Sequence, residues 1–255
     1  MLLFMMFTLV ATAQSVRQET DSCRIATERR LNRQINLGYV RRTLTSPLPI
    51  AVAGVALIPL DRNVSEILVT QMPAFRTRVD DYIQYLPWAT HLTLGLCGVE
   101  GCSKNRYQIF VAEAFTAAMM ATTVNALKYG IGRKRPDGGK NSMPSGHTAT
   151  AFAGATLLAH EFGNKSIWIP IAGYTVATAT GVLRVLNNRH YVSDVLVGAA
   201  IGILTAELSY WVTDVLFKDK KLYGKRTGAK LDIIKNYCIL SNKKSLFAQR
   251  TGFSY

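Results

Sequence analysis

The sequence predicts an all-α fold, a polytopic membrane helix bundle with about five or six transmembrane helices. Three observations predict it. Of the 255 residues, 49% are hydrophobic and only 18% are charged, below the roughly one quarter of an average soluble domain. Apolar stretches follow one another through the middle of the chain. The basic excess, a formal net charge of +14, sits at the two ends. Gln14–Thr43 carries seven Arg against three acids, and residues 217–255 carry ten Lys or Arg against Asp219 and Asp232. Scarce charge around an apolar middle excludes a disordered, acidic solvating chain. A nucleic-acid binder would spread its basic stripe over a folded face, so no nucleic-acid partner is expected. Basic ends around apolar helices are the pattern of a membrane protein.

Residues 1–13, MLLFMMFTLVATA, join a ten-residue apolar run to Ala11-Thr12-Ala13 and read as a signal peptide. The run is too short to span a bilayer, which takes about 20 residues. A basic segment follows over 14–43, a membrane domain over 44–217 and a basic tail over 218–255. Within the domain, Leu44–Leu60 is short and holds three prolines, and Tyr85–Val99 is mixed. Tyr107–Tyr129, Gly146–Phe162, Ile167–Leu186 and Val192–Phe217 are longer and rich in Ala, Thr, Val and Gly. Such small residues let membrane helices approach closely.

The positive-inside rule puts the Lys-rich tail in the cytoplasm. Walking back helix by helix, 61–84, 130–145 and the turn at His190 fall on the outer side. Leu44–Leu60 then carries a conflict of parity. A full crossing keeps 14–43 cytoplasmic and forbids a cleaved leader, whereas a cleaved leader makes that stretch non-spanning or re-entrant. The four Cys, at 23, 97, 102 and 238, fit no zinc spacing.

Three clusters fall at outer helix ends: Lys128 to Arg135-Pro136, Pro144-Ser145-Gly146-His147, and Arg184 to His190 and Asp194. Lys128, Arg135 and Arg184 supply a point charge and two planar forks for phosphate oxygens. Ser145, Gly146 and His147 open a helix, where unspent N–H groups and the dipole favour an anion. Gly146 permits close backbone approach. His190 and Asp194, four apart, share one helical face, so the carboxylate can take one ring proton and leave the other nitrogen to attack. His147 from another helix can protonate a leaving oxygen. No carboxylate cluster suggests a divalent metal, so neither metal nor other cofactor is expected. Singly, each piece has a structural explanation: a snorkelling Lys, a topogenic Arg, a capping turn, a helical His–Asp pair. All three in order, on one membrane side, read as a site.

The motifs K-x6-R-P, P-S-G-H and R-x5-H-x3-D resemble the signature set of the type 2 phosphatidic acid phosphatases, which share their site with vanadium haloperoxidases. The likeness covers about Leu44 to Phe217. It implies an all-α core, usually six membrane helices in bacterial lipid-phosphatase members, and metal-independent hydrolysis of phosphate monoesters or diphosphates. By motif position, Lys128, Arg135 and Arg184 would hold phosphate with Ser145 and Gly146. His147 would be the acid, His190 the nucleophile forming a phospho-histidine, and Asp194 its partner. The implied substrates are phosphatidic acid, phosphatidylglycerol phosphate, undecaprenyl diphosphate or the phosphates of lipid A. The implied setting is a bacterial inner membrane with the site facing the periplasm, and the head group would be read by loops at 61–84 and 137–143. Leu183 departs from the pattern, which usually has Ser before this Arg. Two alternatives stand beside this reading. A vanadate-dependent haloperoxidase suits several membrane spans poorly, and a non-catalytic lipid-phosphate binder or transport component has no need of two His. His91 and His160 match no motif and are read as structural.

Overall fold

A computed structural model describes residues 45–72, 75–99, 101, 103 and 106–216. The predicted leader over 1–13, the basic segment over 14–43 and the tail over 218–255 lie outside the described residues. Every regular element among the described residues is helical. In order they are α1 (Pro47–Ala56), a 3-10 turn (Ile58–Leu60), α2 (Asp61–Gln71), α3 (Val79–Ile83), α4 (Leu86–Leu96), α5 (Arg106–Ile131), α6 (Gly146–Phe162), α7 (Trp168–Leu186) and α8 (Val192–Leu216).

Proline placement explains the short helices. Pro47 and Pro87 sit in the first turns of α1 and α4, where a missing N–H costs nothing and the fixed φ suits a helix. Pro59 cannot donate back into α1, and the chain tightens into the 3-10 turn instead. With 10 residues α1 is about 15 Å long, half of a hydrocarbon core of about 30 Å. It does not cross alone.

Among the described residues, three helices are long and apolar enough to cross a membrane: Tyr107–Ile131, Trp168–Leu186 and Val192–Thr213. α1 and α4 stop at 10 and 11 residues and α6 at 17, short of that length. The 17-residue α6 is the hub. It packs against α7 and α8 along its length, with α4 and α5 on its remaining sides. Ala149, Ala151, Ala153, Ala155 and Leu157 are fully buried there. Glycines let α8 lie directly on it: a Cβ at Gly202 would fall 2.4 Å from the Ala149 carbonyl oxygen, and one at Gly198 2.5 Å from that of Ser145. The indole N–H of Trp88 donates to the Thr150 carbonyl at 2.6 Å and ties α4 to the hub.

Residues 61–84, expected as loop, instead form α2 and α3. Side chains from both reach the end of the bundle where α7 meets α8: Asp61 bonds to Ser193, and Asp80 to Arg184. That end also carries the 132–145 loop, so the segments predicted to lie on the outer side do share one side.

Candidate active site

His190 and Asp194 are set by the turn between α7 and α8. His190 precedes α8 rather than riding on its face, which corrects the i,i+4 helical expectation. The turn still presents its Nδ1 to Asp194 Oδ2 at 3.6 Å, just beyond hydrogen-bond reach. No other partner for that nitrogen exists among the described residues. Asp194 is fully buried and held from three sides. Its Oδ2 accepts from Ser142 Oγ at 2.5 Å and the Tyr191 N–H at 3.0 Å, and its Oδ1 from Arg133 Nη1 at 3.0 Å. His190 is 2% exposed. Burial pushes its imidazole down to about 4; Asp194 opposes that shift, and Arg184 and Arg135 reinforce it. The ring is therefore neutral near pH 7.

The cations surround this ring. Arg184, in the last turn of α7, is buried; its Nη1 donates to Asp80 Oδ2 at 2.7 Å, and its Nε–H has no partner among the described residues. Lys128 ends α5 beside the start of α6, its Nζ 3.5 Å from where a Cβ at Gly146 would lie. Gly146 thus keeps the space next to the ammonium open. Arg135 is steered by two bonds within its own loop, Nε–H to the Lys140 carbonyl at 3.1 Å and N–H to that of Gly139 at 2.8 Å. Ser145 is buried; its N–H donates to the Asp194 carbonyl at 2.9 Å and its Oγ accepts from Thr148 Oγ1 at 2.9 Å. No side chain among the described residues caps α6, which leaves its first-turn N–H groups for an anion. All eight predicted residues gather at one end of the bundle.

The expectation that no carboxylates gather there is corrected. His147 Nε2 lies 2.9 Å from Asp81 Oδ1, and Asp81 Oδ1 lies 3.6 Å from Arg184 Nη1. Asp80 is buried and also accepts from Asn187 Nδ2 at 3.0 Å. Asp61 accepts from Arg133 Nη2 at 2.8 Å and from the Ser193 N–H and Oγ, and Arg133 stacks on Tyr191 at 4.3 Å. Sequence reasoning missed Arg133, Asp61, Asp80, Asp81, Ser142 and Asn187. Arg133 stands inside the first motif, and the Asp80-Asp81 pair is conspicuous in a chain with only 16 acids. Both were available signals. Asp80 also bears on the departure at Leu183: a carboxylate supports Arg184 where the motif usually brings a neighbouring hydroxyl.

Residues 109–218 match the model of the PAP2 superfamily. Over 186 residues, 72% of this chain, the sequence is 45% identical to the lipid A 1-phosphatase of Porphyromonas gingivalis, of which 42% is covered. Residues 109–218 carry a PAP2 superfamily domain. A PA-phosphatase related-family protein of Dictyostelium discoideum is 27% identical over 126 residues, 39% of this chain and 46% of that one. The chain thus spans less than half the length of either relative. The crystal structure of Aquifex aeolicus LpxE superposes with a TM-score of 0.45 and 23% identity, over 56% of this chain and 92% of that one. The PAP2 match contains all eight predicted site residues. It excludes α1 to α4, so Asp61, Asp80 and Asp81 enter the site from outside the matched region.

Proposed function

We propose that this PAP2 protein is a membrane lipid-phosphate phosphatase that cleaves phosphate monoesters or diphosphates through a phospho-histidine. The observation that carries the reading is the neutral, buried His190 beside a buried Arg184 whose Nε–H is unspent. An orphaned buried donor costs about 1–3 kcal/mol, and a phosphate oxygen would satisfy it. Lys128, Arg135 and Arg184 take the non-bridging oxygens, with Ser145 and Gly146 shaping the seat, and so supply the charge stabilisation that a metal would otherwise give. His190 Nε2 attacks phosphorus while its Nδ1–H turns to Asp194. The 3.6 Å contact shortens as charge develops on the ring, as catalytic hydrogen bonds do on substrate binding. The P–O bond to the lipid breaks and His147 gives its proton to the departing oxygen. Water then attacks the phospho-histidine, His147 takes a water proton, the N–P bond breaks and phosphate leaves.

The resemblance to a lipid A 1-phosphatase puts a lipid A phosphate first among substrates, ahead of phosphatidic acid, phosphatidylglycerol phosphate and undecaprenyl diphosphate. The Lys-rich tail supports a bacterial inner membrane with the site facing the periplasm. Phosphate release by detergent-purified protein in excess EDTA, across that lipid panel, tests the reading. Release by wild type is expected from at least one lipid. Folded protein that binds these lipids and releases nothing overturns it.

A further inference from the structure

Each of the two histidines has its own carboxylate, but in opposite settings. Asp194 faces Nδ1 of His190 in a fully buried pocket, leaving Nε2 to react. Asp81 faces Nε2 of His147 at 2.9 Å, with the two side chains 29% and 48% exposed for His147 and Asp81 respectively. An exposed pair of this kind is ordinarily worth little. Here the acid is delivered by a fixed frame. The Thr77 N–H donates to Asn187 Oδ1 at 2.8 Å, and Asn187 Nδ2 returns a bond to the Thr77 carbonyl at 3.0 Å. Asp80, one residue on from Val79, is buried on Arg184 and Asn187. Asp80 therefore pins α3 to the end of α7, and its neighbour Asp81 is projected onto His147.

We infer that Asp81 is the positioning residue of the general acid. It accepts the Nε2–H of His147, fixes the ring, and leaves the Nδ1–H as the proton given to the departing oxygen. The inference rests on the phosphatase reading and adds to it a residue outside the matched PAP2 region. The groups facing His147 are Asp81 and Asp80 from α3 and Arg184 from α7. Burial and the guanidinium disfavour the imidazolium, and the two carboxylates favour it. Asp80 is already committed to Arg184, so Asp81 is the acid whose loss the imidazolium feels directly. After P–O cleavage His147 is neutral, still bonded to Asp81 through Nε2–H, with Nδ1 ready to take the proton of the attacking water. One contact thus serves both half-reactions.

The test uses leaving-group dependence. A lipid alkoxide needs the acid's proton and nitrophenolate hardly needs it. Full-length wild type, Asp81→Asn and Asp81→Glu are assayed on lipid A and phosphatidic acid micelles and on p-nitrophenyl phosphate. Asp81→Asn is expected to lower kcat on the lipid ester about tenfold more than on the aryl ester, without raising KM for the lipid. It also moves the alkaline limb of the lipid profile to lower pH, and Asp81→Glu recovers part of the loss. Equal losses on the two esters, or an unmoved alkaline limb, overturn the inference while leaving the phosphatase reading in place. A wild type that releases phosphate from none of the esters overturns that reading, and the inference with it.

Discussion

The bundle buries polar side chains at both ends, and the two ends differ in what remains unspent. At the α7–α8 turn lie Lys128, Arg133, Arg135 and Arg184, with His147, His190 and the four carboxylates of Asp61, Asp80, Asp81 and Asp194. At the other end, about 22–24 Å along α5 and α8 at 1.5 Å per residue, lie Glu113 and Tyr210, beside Glu161 at the end of α6 and His91 of α4. Glu161 is 1% exposed; it accepts from the Ser103 N–H at 2.6 Å, Ser103 Oγ at 2.7 Å and Tyr210 Oη at 3.2 Å. His91 stands between Glu113 at 3.4 Å and Tyr210 at 3.5 Å. There Glu161 is met by donors of the chain itself, and the orphan among the described residues is an acceptor, Gln108 Oε1. At the α7–α8 end the orphan is a donor, a buried guanidinium N–H with no partner among the described residues. Burial of charge alone does not mark a site, because both ends have it. An excess of donors over acceptors does, since only an incoming anion can balance it.

The sharpest way to break the comparison is to remove the nucleophile. His190→Ala should lower turnover by about 10⁴-fold or more, measured as phosphate release by protein that elutes and melts like wild type. Turnover within tenfold of wild type would mean that the attacking group lies elsewhere. Arg184→Ala comes next. It removes the unspent donor and strands Asp80 without its cation, and a loss of about 10²–10³-fold in kcat is expected. Arg184→Lys should recover little, because a point charge cannot place an N–H where the planar fork does.

Much of this was legible before any coordinates. Gly146–Phe162 has the predicted bounds, and α5, α7 and α8 differ from their predicted limits by a residue or two, because apolar runs between polar turns leave a membrane helix few places to end. The eight candidate residues could be picked out because three spaced motifs each fall at a helix end. The rest was hidden for physical reasons. Asp61, Asp80 and Asp81 lie more than 60 residues before their partners Arg133, Arg184 and His147, and long-range ion pairs leave no local spacing to read. The helical state of α2 and α3 was missed because these segments are polar and are held by neighbouring helices, chiefly through ion pairs and hydrogen bonds to α7 and α8, not by an apolar period of their own. Proline count misled differently: two of the three in 44–60 open a helix, and only Pro59 lies beyond its end.

Acid pH separates the two histidines. The nucleophile must be neutral, and burial holds His190 down to about 4, whereas a free imidazole titrates near 6.5. The acid limb of kcat/KM should therefore fall near pH 4, provided the protein stays folded there. An acid limb near 6.5 would mean that His190 meets water as freely as a surface residue does. The same displacement acts on stability. The unfolded chain takes up this proton as pH falls through about 6.5 and the folded one only near 4. His190 therefore contributes nothing unfavourable above that window and destabilises the fold progressively as pH falls through it.

The smallest effect on turnover belongs to the opposite end. Glu161→Ala leaves the Ser103 N–H, Ser103 Oγ and Tyr210 Oη without their common acceptor. Burying such donors unpaired costs about 1–3 kcal/mol, so the thermal midpoint should drop. The α7–α8 end shares α6 and α8 with this cluster but none of its hydrogen bonds, so turnover per folded molecule should stay within about twofold of wild type, as expected for separate sites. If Glu161→Ala instead lowers kcat as Arg184→Ala does, with its midpoint unchanged, the two ends are coupled through α6. The anionic cluster would then belong to the machinery it is contrasted with here.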